Sequence, residues 1–209
     1  MLRHTANGAY TCPMDSIITS WLLVDEWIGA ALGVLVVLCL IREKLYAWPL
    51  GVAYVLVSIT PLLEARLYAN LALHLVGFLP LNLYGWYHWL FGGEERDDLP
   101  VTRVGSGTAI LLAALCMVAA LALGWYFTTN TDAAFPYWDN AVFAMSLAAM
   151  WLTARKYIEN WLVWFVVNVI SVSLYFSQDL YGYAFLYTLY IPMAVWGYIT
   201  WLKSMGQRT

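Results

Sequence analysis

Charged residues are scarce and clustered along the chain, and the uncharged stretches between them outline its organisation. These stretches run over residues 27–41, 45–63, 67–93, 104–131, 140–154, 160–178 and 180–202. A helix needs about 20 residues to cross roughly 30 Å of hydrocarbon. Five stretches are long enough on their own, whereas the two 15-residue stretches, 27–41 and 140–154, must borrow flanking residues. The runs lack the alternation of a membrane barrel, so the pattern predicts seven transmembrane helices.

Composition agrees with a membrane protein. The 209 residues are 63% hydrophobic and 11% charged, whereas a soluble domain has roughly 45–50% apolar and about 25% charged residues. So few polar side chains cannot cover a water-exposed surface, which excludes an ordinary soluble enzyme. The net charge of −3 without a basic patch argues against a nucleic-acid partner. We therefore expect an all-α integral membrane protein, and the N-terminal 20 residues lack the apolar core of a cleavable signal peptide.

The orientation follows from the lysine and arginine residues of the short loops, which accumulate on the cytoplasmic side. One side holds eight of them and the other only Arg3 and Arg66. The richer side consists of Arg42, Lys44, Arg96, Arg103, Arg155, Lys156, Lys203 and Arg208. This distribution predicts an external N-terminus and a cytoplasmic C-terminus.

The chain matches itself at an offset of 113 residues and then of 112. The matched pairs are Arg42 and Arg155, Trp48 and Trp161, Ser58 and Ser171, Pro80 and Pro192, Gly85 and Gly197, and Trp89 and Trp201. Helices 1–3 would then repeat as helices 5–7 in the same direction, with helix 4 between them. Parallel repeats of this 3+1+3 kind are typical of transporters that bind substrate near the membrane midplane.

This repeat predicts five segments. They are an extracytoplasmic tail over 1–20, a first three-helix repeat over 21–91, a linker helix over 104–131, a second three-helix repeat over 135–203, and a cytoplasmic tail over 204–209. Pro80 and Pro192 interrupt helices at corresponding positions, where a kink could serve as a hinge or merely shape the packing.

Candidate chemistry in the spans is aromatic and amide rather than ionic. Trp161, Trp164 and Asn168 are spaced i, i+3 and i+7, so they share one helix face. Indole rings stack on a flat ligand and attract a ring cation, and an amide can orient it. The third helix adds Asn82 and Tyr84. Each tryptophan or tyrosine taken alone could be an interfacial aromatic, but an amide inside a bilayer needs a partner or a cavity.

Catalytic and metal-binding arrangements are missing from the sequence. His74 is the one histidine expected at depth, and such a histidine is more often a packing residue than a ligand. The cysteines Cys12, Cys39 and Cys116 lack CxxC spacing, which favours small packing residues over a metal site. The scarcity of carboxylates within the spans favours passive transport over ion coupling. We expect no enzyme activity, no cofactor and no metal.

The sequence resembles the Pnu family of vitamin transporters, of which the PnuC-type nicotinamide riboside transporters are the best known. The similarity extends over roughly residues 25–203. Its most specific segment begins at Arg155-Lys156-Tyr157-Ile158-Glu159-Asn160-Trp161 and continues through Trp164, Asn168 and Ser171. Further matching segments are Leu67-Tyr68-Ala69, Tyr84-Gly85-Trp86-Tyr87 and Phe135-Pro136-Tyr137-Trp138-Asp139.

The resemblance implies a seven-helix relative of the SWEET sugar carriers in a bacterial inner membrane. It implies facilitated diffusion of an unphosphorylated B-type vitamin, which a cytoplasmic kinase then traps as its phosphate. It also implies that Trp161, Trp164 and Asn168 line the substrate site, with Asn82, Tyr84, Trp138 and His74 as further candidates.

The substrate itself stays open at this point. Helix 7 offers Tyr183, Tyr187, Thr188 and Tyr190 but no amide, where a nicotinamide riboside carrier would be expected to supply polar groups. Nicotinamide riboside is the leading candidate and thiamine is the nearest alternative, because both are cationic heteroaromatics. Riboflavin is a further candidate substrate, and a seven-helix receptor without flux is the remaining alternative function. The sequence leaves open whether the chain forms a homo-oligomer.

Overall fold

The computed structural model of the protein describes residues 3–4, 10–11, 28–64, 73–93, 99–131 and 134–206. Within these ranges seven α-helices follow one another. They are α1 (Ile28–Ile41), α2 (Ala47–Glu64), α3 (Leu79–Phe91), α4 (Ser106–Asn130), α5 (Pro136–Ala154), α6 (Asn160–Ser177) and α7 (Tyr181–Gly206). A two-residue strand pair, β1 (Arg3–His4) and β2 (Tyr10–Thr11), precedes them. The prediction of an all-α, seven-helix protein is confirmed.

Among the described residues three helices, α4, α6 and α7, are long and apolar enough to cross a membrane by length and composition. The apolar segments Ile28–Ile41 and Ala47–Thr60 are shorter. The uncharged stretch 67–93, expected to form one long span, is described from residue 73 onward, and its helical residues run without a break to Phe91. Its described part consists of a π-helical turn, Leu73–Phe78, followed by the 13-residue α3. Pro80 in the first turn of α3 accounts for the change from π to α geometry, because proline lacks the N–H that continues a regular helix and its ring crowds the preceding turn.

The helices pack as a bundle in which α4 lies on the periphery. Contacts join α6 with α7, α5 with α6, α2 with α3, and α3 with α5, whereas α4 packs mainly against α5. Only 6% of the most apolar window of α4 is buried. In a chain this apolar, the uncovered faces of α4 are expected to contact lipid.

The hydrophobic core lies at one end of the bundle, which we call the charged end. Here the turns α1–α2 and α5–α6 meet the segment Leu99–Gly105 that leads into α4. The backbone N–H of Thr102 donates to Lys156 O at 3.1 Å, and the N–H of Ile158 donates to Thr102 O at 3.0 Å. The turns contain Glu43 and Lys156, both with φ near +55° (54° and 57°). The positions predicted to be cytoplasmic in these three segments therefore come together.

Four buried indoles, Trp48, Trp89, Trp161 and Trp201, form what we call the tryptophan cluster. Trp48 meets Trp89 edge to face at a ring-centroid distance of 5.3 Å, and Trp161 meets Trp201 in the same way at 5.4 Å. Trp89 and Trp201 lie 6.1 Å apart and join the two pairs. Edge-to-face indole pairs add to the stability that burial provides.

Polar contacts of the tryptophan cluster are also paired. Trp89 Nε1 donates to Thr153 O at 3.3 Å, and Trp201 Nε1 donates to Leu40 O at 3.0 Å. Residues 40 and 153, like 89 and 201, are positions that the predicted repeat places in correspondence. Each predicted half thus holds one indole whose N–H is bonded to the other half.

Two glycines make room for this cluster. A Cβ on Gly85 would collide with the Trp48 ring, and a Cβ on Gly197 would lie 2.5 Å from the Trp161 ring. We expect Gly85→Ala and Gly197→Ala each to lower the free energy of unfolding by about 1–3 kcal/mol, since overpacking forces rings and backbone to shift. Thermal unfolding in detergent measures this, and Gly182→Ala, in open space on α7, is the control. Equal midpoints for Gly197→Ala and Gly182→Ala would contradict the close packing.

Candidate functional site

One face of α6 carries two of the buried polar residues of the bundle interior, Asn168 and Ser171. Trp164, Asn168 and Ser171 follow one another along this face, and Trp161 lies one turn closer to the charged end. Asn168 is 4% exposed and Ser171 is 1% exposed. Because both side chains are buried inside a membrane-embedded bundle, their polar groups need hydrogen-bond partners from the protein or from a ligand.

Two polar atoms on this face are unpartnered. Ser171 Oγ and Trp161 Nε1 are buried and have no hydrogen-bond partner within the described part of the chain. A buried polar atom without a partner costs free energy, so such atoms in a native structure call for a ligand or a water molecule to satisfy them. The Ser171 hydroxyl, one turn from the Asn168 amide, therefore supplies a second polar group to the same face.

The two tryptophans of this face differ in their surroundings. Trp161 is 3% exposed and packed between Gly197 and Trp201, so it belongs to the tryptophan cluster. Trp164 is half-buried, and its Nε1 donates to Thr153 Oγ1 at 3.3 Å, which fixes the orientation of the indole. Trp164 thus retains the partial exposure that stacking on a ligand requires, whereas Trp161 is enclosed by protein.

The remaining sequence candidates do not lie together. Asn82 is buried at the contact of α3 with α2, where its amide faces Gly51 and Nδ2 donates to Phe78 O at 2.9 Å. Tyr84 lies at the charged end, where its hydroxyl accepts from Arg155 Nη1 at 3.3 Å. Trp138 is 57% exposed near the start of α5, at the opposite end of the bundle. His74 lies on the π-helical turn against Tyr54 and Phe78.

The hydroxyl of Tyr84 also affects the charge of the arginine it contacts. This hydroxyl, followed by that of Tyr157, raises the pKa of Arg155 above its ordinary value, because both accept hydrogen bonds from the guanidinium. Arg155 therefore stays charged at any physiological pH. This contact places the Tyr84 hydroxyl at the charged end, beside Arg155.

Neither of the two prolines predicted to interrupt helices ends one. Pro80 is the second residue of α3, where π geometry gives way to α geometry, and Pro192 lies inside α7, which continues through it to Gly206. Both are exposed to the outside of the bundle. A hinge role for either residue stays a prediction.

Two clefts on the bundle surface are too apolar to hold a polar vitamin. One, of about 320 Å³, lies between α3, α4 and α5 and is lined by residues such as Leu112, Phe143 and Leu147. The other, of about 370 Å³, lies beside Trp138 between α5 and α6. Neither cleft is lined by Trp161, Trp164 or Asn168. We expect lipid chains to occupy both clefts in a membrane.

A group of aromatic residues that the sequence did not indicate as a unit lies toward the end opposite the charged end. We call Tyr54, His74, Tyr175, Tyr187 and Tyr190 the tyrosine cluster. Ring-centroid distances are 5.9 Å for Tyr54–His74, 5.2 Å for Tyr175–Tyr187 and 5.7 Å for Tyr187–Tyr190. The sequence spacing of Tyr183, Tyr187 and Tyr190 indicates that these three rings share one face of α7. Tyr54 and Tyr175 come next to Tyr187 and Tyr190 only in the folded bundle.

A family model described as Nicotinamide mononucleotide transporter matches residues 23–203. The chain belongs to this transporter family. It is therefore a multi-pass membrane transporter, as the sequence predicted, rather than a receptor without flux.

Two curated relatives of this transporter family carry different names. The chain is 28% identical over 214 residues to the "Nicotinamide riboside transporter PnuC" of Escherichia coli (strain K12), covering 90% of this chain and 88% of the relative. It is also 28% identical over 190 residues to the "Riboflavin/roseoflavin transporter RibM" of Streptomyces davaonensis, covering 85% and 84%.

A solved structure of the family shares the fold. The "Crystal structure of the Vitamin B3 transporter PnuC" superposes with a TM-score of 0.68 at 20% sequence identity, covering 97% of this chain and 95% of the other. At this identity the likeness supports the helix arrangement, and the substrate must be argued from the site and the relatives.

Proposed function

We propose that this transporter carries unphosphorylated nicotinamide riboside by facilitated diffusion. The observation that supports it most is the family match over residues 23–203, joined to a relative of nearly full coverage named for that substrate. The buried amide of Asn168 and the half-buried indole of Trp164 suit a flat heteroaromatic ring with polar substituents.

The distribution of charged side chains along the bundle agrees with transport that is not coupled to an ion. Every lysine and arginine whose side chain the structure describes lies at the charged end, outside the apolar middle of the helices. Ion-coupled transporters usually carry ionisable groups in mid-membrane. We propose that inward flux is sustained by a cytoplasmic kinase that phosphorylates the vitamin, in a bacterial inner membrane with the charged end toward the cytoplasm.

We further propose that the two three-helix halves, 21–91 and 135–203, move relative to each other to expose the site alternately. The matching contacts of the tryptophan cluster support a parallel repeat. Pro80 and Pro192 occupy corresponding positions in the repeat and are the proposed hinges.

Riboflavin is the second candidate substrate, favoured by the RibM relative of equal identity, and thiamine is the third. Uptake of each radiolabelled vitamin into proteoliposomes that contain the purified chain tests the proposal. We expect nicotinamide riboside to equilibrate without any ion gradient and to accumulate only when a nicotinamide riboside kinase and ATP are enclosed. Uptake of riboflavin or thiamine alone would reassign the substrate, and uptake of none would contradict vitamin transport.

A further inference from the structure

We propose that the tyrosine cluster, with the Asp139 carboxylate at its outer mouth, is a cage for a positively charged heteroaromatic ring. The transporter would then select cationic vitamins over neutral ones of the same shape. This inference rests on the proposed function and specifies the substrate class for the same path through the bundle.

The tyrosine cluster is formed by residues from both halves of the protein. Tyr54 and His74 come from the first half, and Tyr175, Tyr187 and Tyr190 come from α6 and α7. The Tyr54 phenol lies near the phenols of the three tyrosines of the second half. A ligand bound between these rings would therefore contact both halves, as a transported substrate must.

The rings of the tyrosine cluster are inclined to one another and remain partly exposed. The Tyr187 and Tyr190 planes are inclined by 81°, and the Tyr175 and Tyr187 planes by 38°. All four tyrosines are half-buried, whereas the members of the tryptophan cluster are at most 8% exposed. The Tyr190 hydroxyl also lies against Gly33 of α1, where a Cβ would come within 2.5 Å of it. The ring faces thus keep surface that a planar ligand could cover.

The charge around the cluster favours a cation. Asp139, in the first turn of α5, lies near Tyr175. No described lysine or arginine side chain lies at this end of the bundle. The face of a phenol ring carries negative potential and attracts a cation, and a carboxylate nearby adds to the same field. A neutral ring would gain stacking alone.

The cage continues into the polar face of α6. Tyr175, Ser171 and Asn168 are spaced at one-turn intervals on that face, so the cluster leads directly to the unpartnered Ser171 hydroxyl and the Asn168 amide. A cationic ring held among the tyrosines would place its polar substituents toward these two groups.

The test compares a cation with a neutral ligand of the same shape. Calorimetric titration of the full chain in detergent uses nicotinamide riboside and its uncharged dihydro form. We expect the unaltered chain to bind the cationic form at least tenfold more tightly. Tyr187→Leu should weaken binding of the cation about tenfold and of the dihydro form less than threefold. Tyr187→Phe keeps the ring and should retain the preference.

Asp139→Asn tests the carboxylate separately and should weaken binding of the cation severalfold without affecting the dihydro form. The matched controls are Asp179→Asn, whose carboxylate accepts a bond from Tyr181 in an exposed turn, and Tyr126→Leu, 53% exposed on α4. Neither control should alter the preference.

The outcomes separate the cage from the transport function. Equal affinity of the unaltered chain for both forms, or equal losses of both in Tyr187→Leu, would overturn the cage while leaving vitamin binding in place. Binding of riboflavin but neither form of nicotinamide riboside would overturn the substrate proposal as well. Retained binding of the dihydro form in each variant shows that the variant is folded.

Discussion

Replacing Asn168 with leucine is expected to lower the affinity for the transported vitamin by about 100-fold while the protein stays folded and inserted. Asn168 is 4% exposed in the middle of α6, beside the unpartnered Ser171 hydroxyl. Each polar group of a bound ligand that loses its partner costs about 1–3 kcal/mol, and an amide can serve two such groups. Since tenfold in affinity corresponds to about 1.4 kcal/mol, the loss of two bonds of about that size corresponds to about 100-fold.

Equilibrium titration of purified protein by intrinsic tryptophan fluorescence measures the effect. Asn130→Leu is the matched control, because it makes the same exchange at an exposed position at the end of α4. A leucine at position 168 is expected to keep the unfolding midpoint, since it fills a similar volume in an apolar bundle. Unchanged vitamin affinity in the leucine variant would remove Asn168 from the site.

Replacing Lys156 with methionine is expected to lower the free energy of unfolding by about 3–5 kcal/mol. Lys156 Nζ lies 2.8 Å from Glu43 Oε2, with the two side chains 4% and 17% exposed. Nζ also donates to Leu99 O at 2.7 Å and lies 4.8 Å from the centroid of the Trp89 ring. Removing one partner of a buried ion pair leaves an uncompensated charge, which is the costly event.

A double-mutant cycle isolates the pair. Glu43→Gln combined with Lys156→Met is expected to be more stable than Lys156→Met alone, because the unpaired carboxylate is gone. The neighbouring pair of Arg103 and Glu159, at 3.7 Å with Arg103 59% exposed, is the control. Arg103→Met should cost less than about 1 kcal/mol, as exposed pairs do. Similar losses for both single variants, in thermal or denaturant unfolding, would contradict a buried pair at Glu43 and Lys156.

The two residues of this ion pair occupy corresponding positions in the predicted repeat, since Glu43 and Lys156 are 113 residues apart. Both also adopt a left-handed backbone conformation in a turn between helices. The sequence match at Arg42 and Arg155 indicated the correspondence. The opposite charges of the following residues gave no sign that they would meet, because an offset relates positions without placing them next to each other.

Helix number, membrane character and family were determined by the sequence itself. Spans of apolar residues bounded by charges must form helices in a bilayer, where every backbone polar group needs an internal partner. The motif from Arg155 to Asn168 identified the family. The i, i+3, i+7 spacing also placed Trp161, Trp164 and Asn168 on one face of a helix that the structure contains.

Tertiary structure decided which of those faces meet. Trp161 and Trp164 are equivalent in sequence pattern, yet Trp161 is enclosed by Gly197 and Trp201 while Trp164 stays half-buried. Tyr84 and Asn82 are two residues apart but contact different elements, Arg155 at the charged end and Gly51 on α2. Tyr54 and Tyr190 lie near each other although 136 positions separate them in the sequence. Periodicity reports the face of one helix, whereas the neighbour of that face depends on how all seven helices pack, so only the folded bundle could reveal the tyrosine cluster.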